Sequence, residues 1–260
     1  MENLNFIIIR RLWDVSEDYD IIFTQNASNA LRLAGEVLSF NSNEDIYVYS
    51  LDNHTSMAGL RNIMKKNVYC FQNETFVQVS EVTEKTNGIK RVIIGTPLQS
   101  NFDGKINSLG HTEYILDRFR EQFTKMINLE NAKIVKVLDI ASYVSTSKYS
   151  NTVHRPDFAP FSIYKLFGLP TSLGGLIVKK DMISNFHNYF GGGSVKAWLP
   201  NDNFTMRNEG ARGLEFGTPP FTEILSALSG LNTWEKLTGG IQNISRFTKQ
   251  LRQEMVIIVF

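Results

Sequence analysis

Six short apolar runs, set between longer segments of helical period, constrain this 260-residue sequence more than any other feature. They are DIIF at 20–23, IYVYS at 46–50, VYCF at 68–71, RVIIG at 91–95, KIVKVLD at 133–139 and GGLIV at 174–178. Near-continuous Val, Ile, Tyr and Phe over four to seven residues reads as a strand buried on both faces. Between the runs, Asn26–Phe40 gathers Ala27, Ala30, Leu31, Ala34, Val37 and Leu38 on one face. Glu113–Asn128 does the same with Ile115, Leu116, Phe119, Phe123 and Ile127, so both read as amphipathic helices. Strands and helices in this alternation predict a three-layer α/β/α domain around a mostly parallel sheet.

No internal repeat or linker-like shift in composition interrupts the chain before about residue 190. Residues 191–218 are rich in Gly, Asn and Pro, as a long functional loop is, and Pro219–Leu237 then resumes a helical period. A last helix is expected over Ile241–Met255. It leads into VIIVF at 256–260, a strand-like run with nothing after it to pair with.

Charge and cysteine content narrow the function. With 27 Lys plus Arg against 26 Asp plus Glu, the formal charge is +1, and no basic cluster suggests a nucleic-acid groove or an anionic membrane surface. The longest apolar runs fall far short of the roughly 20 residues a spanning helix needs. Met1-Glu2-Asn3, with Arg10-Arg11 after the first apolar patch, does not read as a secretory leader. The single cysteine, Cys70, allows no intramolecular disulfide or multi-cysteine metal site and fits a reducing, cytoplasmic setting. It sits inside VYCF, where burial would raise its pKa and block access.

In open α/β sheets ligands gather beyond the carboxyl ends of the strands, so the residues following each run are the ones to weigh. After DIIF, Thr24-Gln25-Asn26-Ala27-Ser28 opens a helix, which makes either a phosphate cradle or an ordinary cap. After IYVYS comes Asp52-Asn53-His54-Thr55-Ser56, where the histidine is either a catalyst or a capping residue. Asp139 ends an apolar strand; a buried carboxylate there calls for a cationic partner such as a protonated ring nitrogen, or else caps the next turn. Lys165 lies in Phe161-Ser162-Ile163-Tyr164-Lys165-Leu166-Phe167, among apolar neighbours that favour the neutral amine needed to capture an aldehyde. Taken alone it also reads as a surface lysine with a buried stem. A nucleotide-binding reading fails, because no GxGxxG follows a strand.

These positions, in this order, resemble the class V branch of the fold-type-I pyridoxal-phosphate (PLP) enzymes. That branch includes the cysteine desulfurases and, most similar here, the desulfurase-like N-terminal part of the molybdenum cofactor sulfurases. FTQNASNALRLAGE at 23–36, DNHTSMAGLR at 52–61, LDIASYVSTS at 138–147, FAPFSIYKLFGLPTSLGGLIVKKD at 158–181, YFGGGSV at 189–195 and LEFGTPPF at 214–221 carry the likeness. It implies a seven-stranded sheet within a large domain at 12–238, with 239–260 starting a connection to a small domain that this sequence lacks.

The resemblance also implies roles. Lys165 would hold the cofactor covalently, Asp139 would pair with its ring nitrogen, and His54 would stack on the ring. Ala27, Ser28, Ser162 and Tyr164 would hold the phosphate. Ser142 would stand where many desulfurases place a glutamine on the phenolic oxygen, although a serine reaches less far. Thr218 would serve the phosphate of a neighbouring subunit in a twofold homodimer.

Two functional expectations follow. The first is sulfur transfer from L-cysteine, impaired here because the region that bears the persulfide-forming cysteine in relatives is not in this sequence. The second is a non-catalytic, truncated PLP-fold chain that binds the cofactor or serves as an interaction module, or a non-functional fragment. No metal ligand set is expected.

Overall fold

The computed structural model of the chain describes residues 4–82, 88–123, 126–184, 189–201 and 205–259. Met1–Asn3 and Phe260 lie outside the described residues. In chain order the elements are α1 (Leu4–Leu12), β1 (Tyr19–Thr24), α2 (Ala27–Leu38), β2 (Asp45–Ser50), α3 (Thr55–Ala58), α4 (Arg61–Met64), β3 (Val68–Gln72), β4 (Thr75–Gln78) and β5 (Arg91–Pro97). There follow α5 (His111–Phe123), β6 (Lys133–Asp139), α6 (Asn151–His154), β7 (Phe158–Ser162), α7 (Tyr164–Phe167), β8 (Gly174–Lys179), α8 (Lys180–Ile183), β9 (Val195–Trp198), β10 (Thr205–Arg207), α9 (Phe221–Thr238) and α10 (Ile241–Val259).

The central sheet has eight strands, not the seven expected, in the order β1-β8-β7-β6-β5-β2-β3-β4. Two of the eight, β4 and β7, lie outside the six runs, and β4 is a short antiparallel edge on β3. All six apolar runs form strands, and the chain direction is shared except in β8 and β4, which run against their neighbours.

Successive side chains of each strand enter opposite layers, as the two-residue period requires. Ile22, Tyr47, Tyr49, Ile93, Val135, Val137, Leu176 and Val178 pack under α2. Ile21, Phe23 and Ile177 face the other way with α1 and α9, while Ile46, Val48, Val92 and Ile94 pack on α5. The three-layer architecture follows from that alternation.

Two other expectations are corrected. Residues 191–218 are not simply a loop, because β9 and β10 pair within them as a two-stranded ribbon. The VIIVF run is not a strand as far as it is described: residues 256–259 continue α10. β-propensity expresses packing against neighbouring strands, and without such a neighbour a helix satisfies its own backbone.

Candidate functional site

Four chain segments meet beyond the carboxyl ends of β1, β2, β6 and β7. At the first, Asn26 caps α2 by accepting the Asn29 N–H on its side chain at 2.9 Å. Capping therefore falls to Asn26, and Ser28 is left to turn its hydroxyl to Ser56 Oγ, 2.5 Å away. The Ala27 N–H donates to Ser162 Oγ at 3.3 Å, tying the start of α2 to the end of β7. Gly174 makes this approach possible, since a Cβ there would lie 2.7 Å from Asn26 Cα and 2.6 Å from the Phe161 carbonyl.

His54 both caps a helix and faces the cavity. Its Nδ1 accepts the Ser56 N–H at 3.1 Å and lies 2.9 Å from Ser56 Oγ. In the neutral ring the proton therefore sits on Nε2.

Asp139, at the end of β6, is 5% exposed. Burial pushes its carboxyl above the ordinary range; the Ala141 N–H, on Oδ1 at 2.9 Å, and the charges of Lys165 and His54 pull it part of the way back. Among the described residues no cationic side chain forms an ion pair with it.

Lys165 lies in α7, which Gly168 ends with φ +90°. Its Nζ donates to Ser142 Oγ at 3.2 Å, and that hydroxyl donates to Asn101 Oδ1 at 2.8 Å.

A cavity of about 280 Å³ joins these groups, lined by Ala27, Ser28, His54, Asp139, Ser162, Tyr164 and Lys165 together with Asn26, Leu31, Ser56, Ala141 and Thr171. Two of the residues singled out from the sequence stand apart from its wall. Ser142 is not among the lining residues, but its neighbour Ala141 is, and its Oγ accepts the Lys165 Nζ–H. Thr218 borders a neighbouring hollow of about 400 Å³, with Thr24, Gln25, Glu215 and Phe216.

Sequence reasoning passed over Ser56, Thr171 and Asn101. Ser56 and Thr171 lie inside blocks already singled out. Asn101 follows β5, whose carboxyl end was not weighed. Cys70 is 5% exposed in β3; burial pushes its thiol up, against the partial opposing pull of the Tyr49 hydroxyl and Arg61. No helix among the described residues is long and apolar enough to cross a membrane.

The family model described as aminotransferase class-V matches residues 8–259, and the chain belongs to that family. It is 31% identical over 258 residues to molybdenum cofactor sulfurase 2 of Culex quinquefasciatus, covering 96% of this chain and 32% of that protein. With the human molybdenum cofactor sulfurase it shares 33% identity over 267 residues, covering 97% of this chain and 29% of that protein. The chain thus spans about a third of the length of these relatives.

Among solved structures, the apo cysteine desulfurase of Thermococcus onnurineus NA1 superposes with a TM-score of 0.71 at 17% identity, over 97% of this chain and 60% of that one. A mutant of C-DES with glycine covalently linked to its PLP cofactor gives 0.66 at 12% identity, over 90% and 60%. These likenesses establish the fold.

Proposed function

We propose that this chain is the cofactor-holding part of a PLP-dependent sulfur-transfer protein that acts on L-cysteine, in the manner suggested by the names of its relatives. The observation that carries the reading is the single cavity shared by Lys165, Asp139, His54 and the Ala27–Ser28–Ser162 cradle. Its donor set suits the group. A buried carboxylate with a raised pKa and no ion-pair partner among the described residues favours a cationic ring nitrogen. The amides of Ala27 and Ser28 and the hydroxyls of Ser28 and Ser162 suit a phosphate at the start of α2.

When bound, PLP supplies an aldehyde for amines and a ring that accepts electrons from the substrate α-carbon. This chain's residues do the rest. Lys165 would provide the amine that holds the group and would hold a proton for exchange at the substrate α-carbon. His54 presents Nε2–H, its tautomer set by Ser56. Asp139 would hold a proton on the ring nitrogen. Tyr164, at the cavity wall, would add a hydroxyl for the phosphate, and Thr218, which lines a neighbouring hollow and not this cavity, would serve the phosphate of a second copy in a twofold dimer. The setting we propose is cytoplasmic.

The test is a visible spectrum of the protein titrated with PLP, followed by borohydride reduction and peptide mass spectrometry. An adduct on Lys165 that disappears in Lys165→Ala supports the reading; unchanged absorption in that variant overturns it.

The burial of Cys70 favours a second reading for residues 1–260 taken by themselves. A sulfur carrier needs an accessible thiolate, and Cys70 is the sole cysteine. The 260 residues alone are then expected to hold PLP without releasing sulfide from L-cysteine. Sulfide release that survives Cys70→Ala would remove this reading.

A further inference from the structure

The contact between Lys165 and Ser142 is not the one the resemblance implies for position 142. Many desulfurases place a glutamine there on the cofactor's phenolic oxygen, and a serine reaches less far. Instead its oxygen accepts the Lys165 Nζ–H at 3.2 Å, while its own proton is given to Asn101 Oδ1 at 2.8 Å. We propose that Ser142 is a positioning residue for Lys165, anchored by Asn101, and that the three side chains form a relay that aims the lysine amine into the cavity. This rests on the cofactor reading above.

Both ends of the relay are built to hold still. Ser142 follows Ala141, whose N–H is fixed on the Asp139 carboxylate at 2.9 Å, and its carbonyl accepts the Ser145 hydroxyl at 2.6 Å. Asn101 belongs to a tight turn organised by the buried Ser100, whose Oγ accepts the Phe102 and Asp103 N–H groups at 3.2 and 3.3 Å. The Ser100 N–H donates to the Lys105 carbonyl at 2.9 Å and closes the turn. The lysine is the flexible member, a four-carbon stem with several rotatable bonds, so an anchor at its tip selects among rotamers.

The direction of the hydrogen bonds matters. Because Ser142 has committed its proton to Asn101, it offers Lys165 an acceptor only: its oxygen takes an N–H and has no proton to give to the lone pair through which an amine reacts. Capture of an aldehyde forms the C–N bond with that lone pair and releases the carbonyl oxygen as water with the two amine protons. A group that restrains an N–H and leaves the lone pair clear favours a fixed aldehyde over other encounters. Solvent reaches Asn101, so one such bond is expected to change the rate by about three- to tenfold rather than by orders of magnitude.

The experiment separates placement from binding and from intrinsic reactivity. Three quantities are measured on the full chain: the rate of PLP capture, followed by stopped-flow absorbance; the affinity for pyridoxine 5′-phosphate, which keeps the ring and phosphate but has no aldehyde; and the rate of Lys165 methylation by formaldehyde and cyanoborohydride, read by peptide mass spectrometry. In Ser142→Ala, capture is expected to slow by about three- to tenfold, with pyridoxine-phosphate affinity and formaldehyde reactivity unchanged within twofold. Ser142→Thr, which keeps the hydroxyl, restores capture. Asn101→Ala slows capture in the wild-type background and by less than twofold in Ser142→Ala, because the two residues act as one unit.

An unchanged capture rate in Ser142→Ala overturns the proposal. A parallel loss of pyridoxine-phosphate affinity would place Ser142 on the ring instead, and slower formaldehyde methylation would mean that it tunes reactivity, not placement. Wild-type protein that neither captures PLP nor binds pyridoxine 5′-phosphate would overturn the cofactor reading itself, and this inference with it.

Discussion

Gly192 packs directly on Gly217: a Cβ at 192 would stand 2.9 Å from Gly217 Cα, and the Gly217 N–H donates to the Gly191 carbonyl at 3.1 Å. This contact joins two sequence blocks about 25 residues apart and sets where Thr218 emerges. Both glycines have positive φ, +55° and +78°, but nothing lies within 4 Å of a Cβ built on Gly217. Gly217→Ala should therefore cost only the left-handed backbone term, about 1 kcal/mol. Gly192→Ala adds a backbone clash and should cost about 2–3 kcal/mol. Urea unfolding of the two variants measures the difference; equal losses would show that the contact is not tight.

A second test concerns the sheet alone. Asp45, 1% exposed, receives Arg91 Nε at 2.8 Å and Nη2 at 2.5 Å, and also accepts the Asn41 N–H at 2.7 Å. The pair clamps β2 to β5, whose carboxyl ends carry His54 and Asn101. Arg91→Ala leaves a buried carboxylate with one donor. Because the Arg91 side chain is 27% exposed, the expected loss is about 2–3 kcal/mol, below the range for a fully buried pair. The double variant Asp45→Asn, Arg91→Met should recover part of it, and a thermal melt that ranks the double variant below the single one would contradict this account.

The parallel core of the fold was legible because its strands are buried on both faces and read as apolar runs. Two strands of the central sheet escaped, as did the β9–β10 ribbon. β4 has the burial pattern exposed, buried, exposed, exposed, so Phe76 alone marks it. β7 contains Pro160, a residue that argues against an interior strand. Its position explains the exception. The Pro160 carbonyl accepts the Ile140 N–H on the β6 side, so the missing proline donor faces the same side, where the ladder with β6 is a single pair long. On the β8 side, five residue pairs hold the strand. No local pattern could reveal that asymmetry, because it depends on where β6 ends.

Much of the site was legible because it lies at strand ends, where chemistry-bearing residues stand out against apolar runs. His54 shows that the competing readings were not exclusive, since the same ring nitrogen that caps α3 fixes its tautomer toward the cavity. What sequence could not supply were links between distant turns. Asn101 and Ser142 are 41 residues apart, and the Ser142–Lys165 contact spans another 23. Thr218, whose role comes from resemblance alone, lines a different hollow from Lys165, and nothing in its own stretch of sequence marks that separation.

Asp139 offers a test in the cofactor-free protein. Its carboxyl is raised above the ordinary value of 3.8, first by burial. Between that value and its folded value the native chain binds a proton that the unfolded chain has lost. Stability therefore falls as pH rises through this window and stays lowered above it. Asp139→Asn can keep the Ala141 N–H bond and removes the buried charge. It should melt higher than the wild type at neutral pH, with the gap closing below about pH 4, and should bind PLP more weakly. A variant that melts lower than wild type at pH 7 would show that the carboxylate is well compensated by the protein itself.

The phosphate cradle is tested through Ser162, 2% exposed, whose hydroxyl accepts the Ala27 N–H at 3.3 Å. Ser162→Ala removes a partner from the start of α2 and should cost about 1 kcal/mol of stability. Hydrogen bonds to an ionised group are worth more than neutral ones, so loss of the hydroxyl should weaken PLP binding by about tenfold. Pyridoxal, which has the same ring and aldehyde without the phosphate, should bind the variant and the wild type alike. Titrations with both compounds separate the roles. An equal loss for pyridoxal and PLP would mean that Ser162 shapes the ring pocket, and the phosphate would then have to lie elsewhere along the wall formed by Ser28 and Ser56.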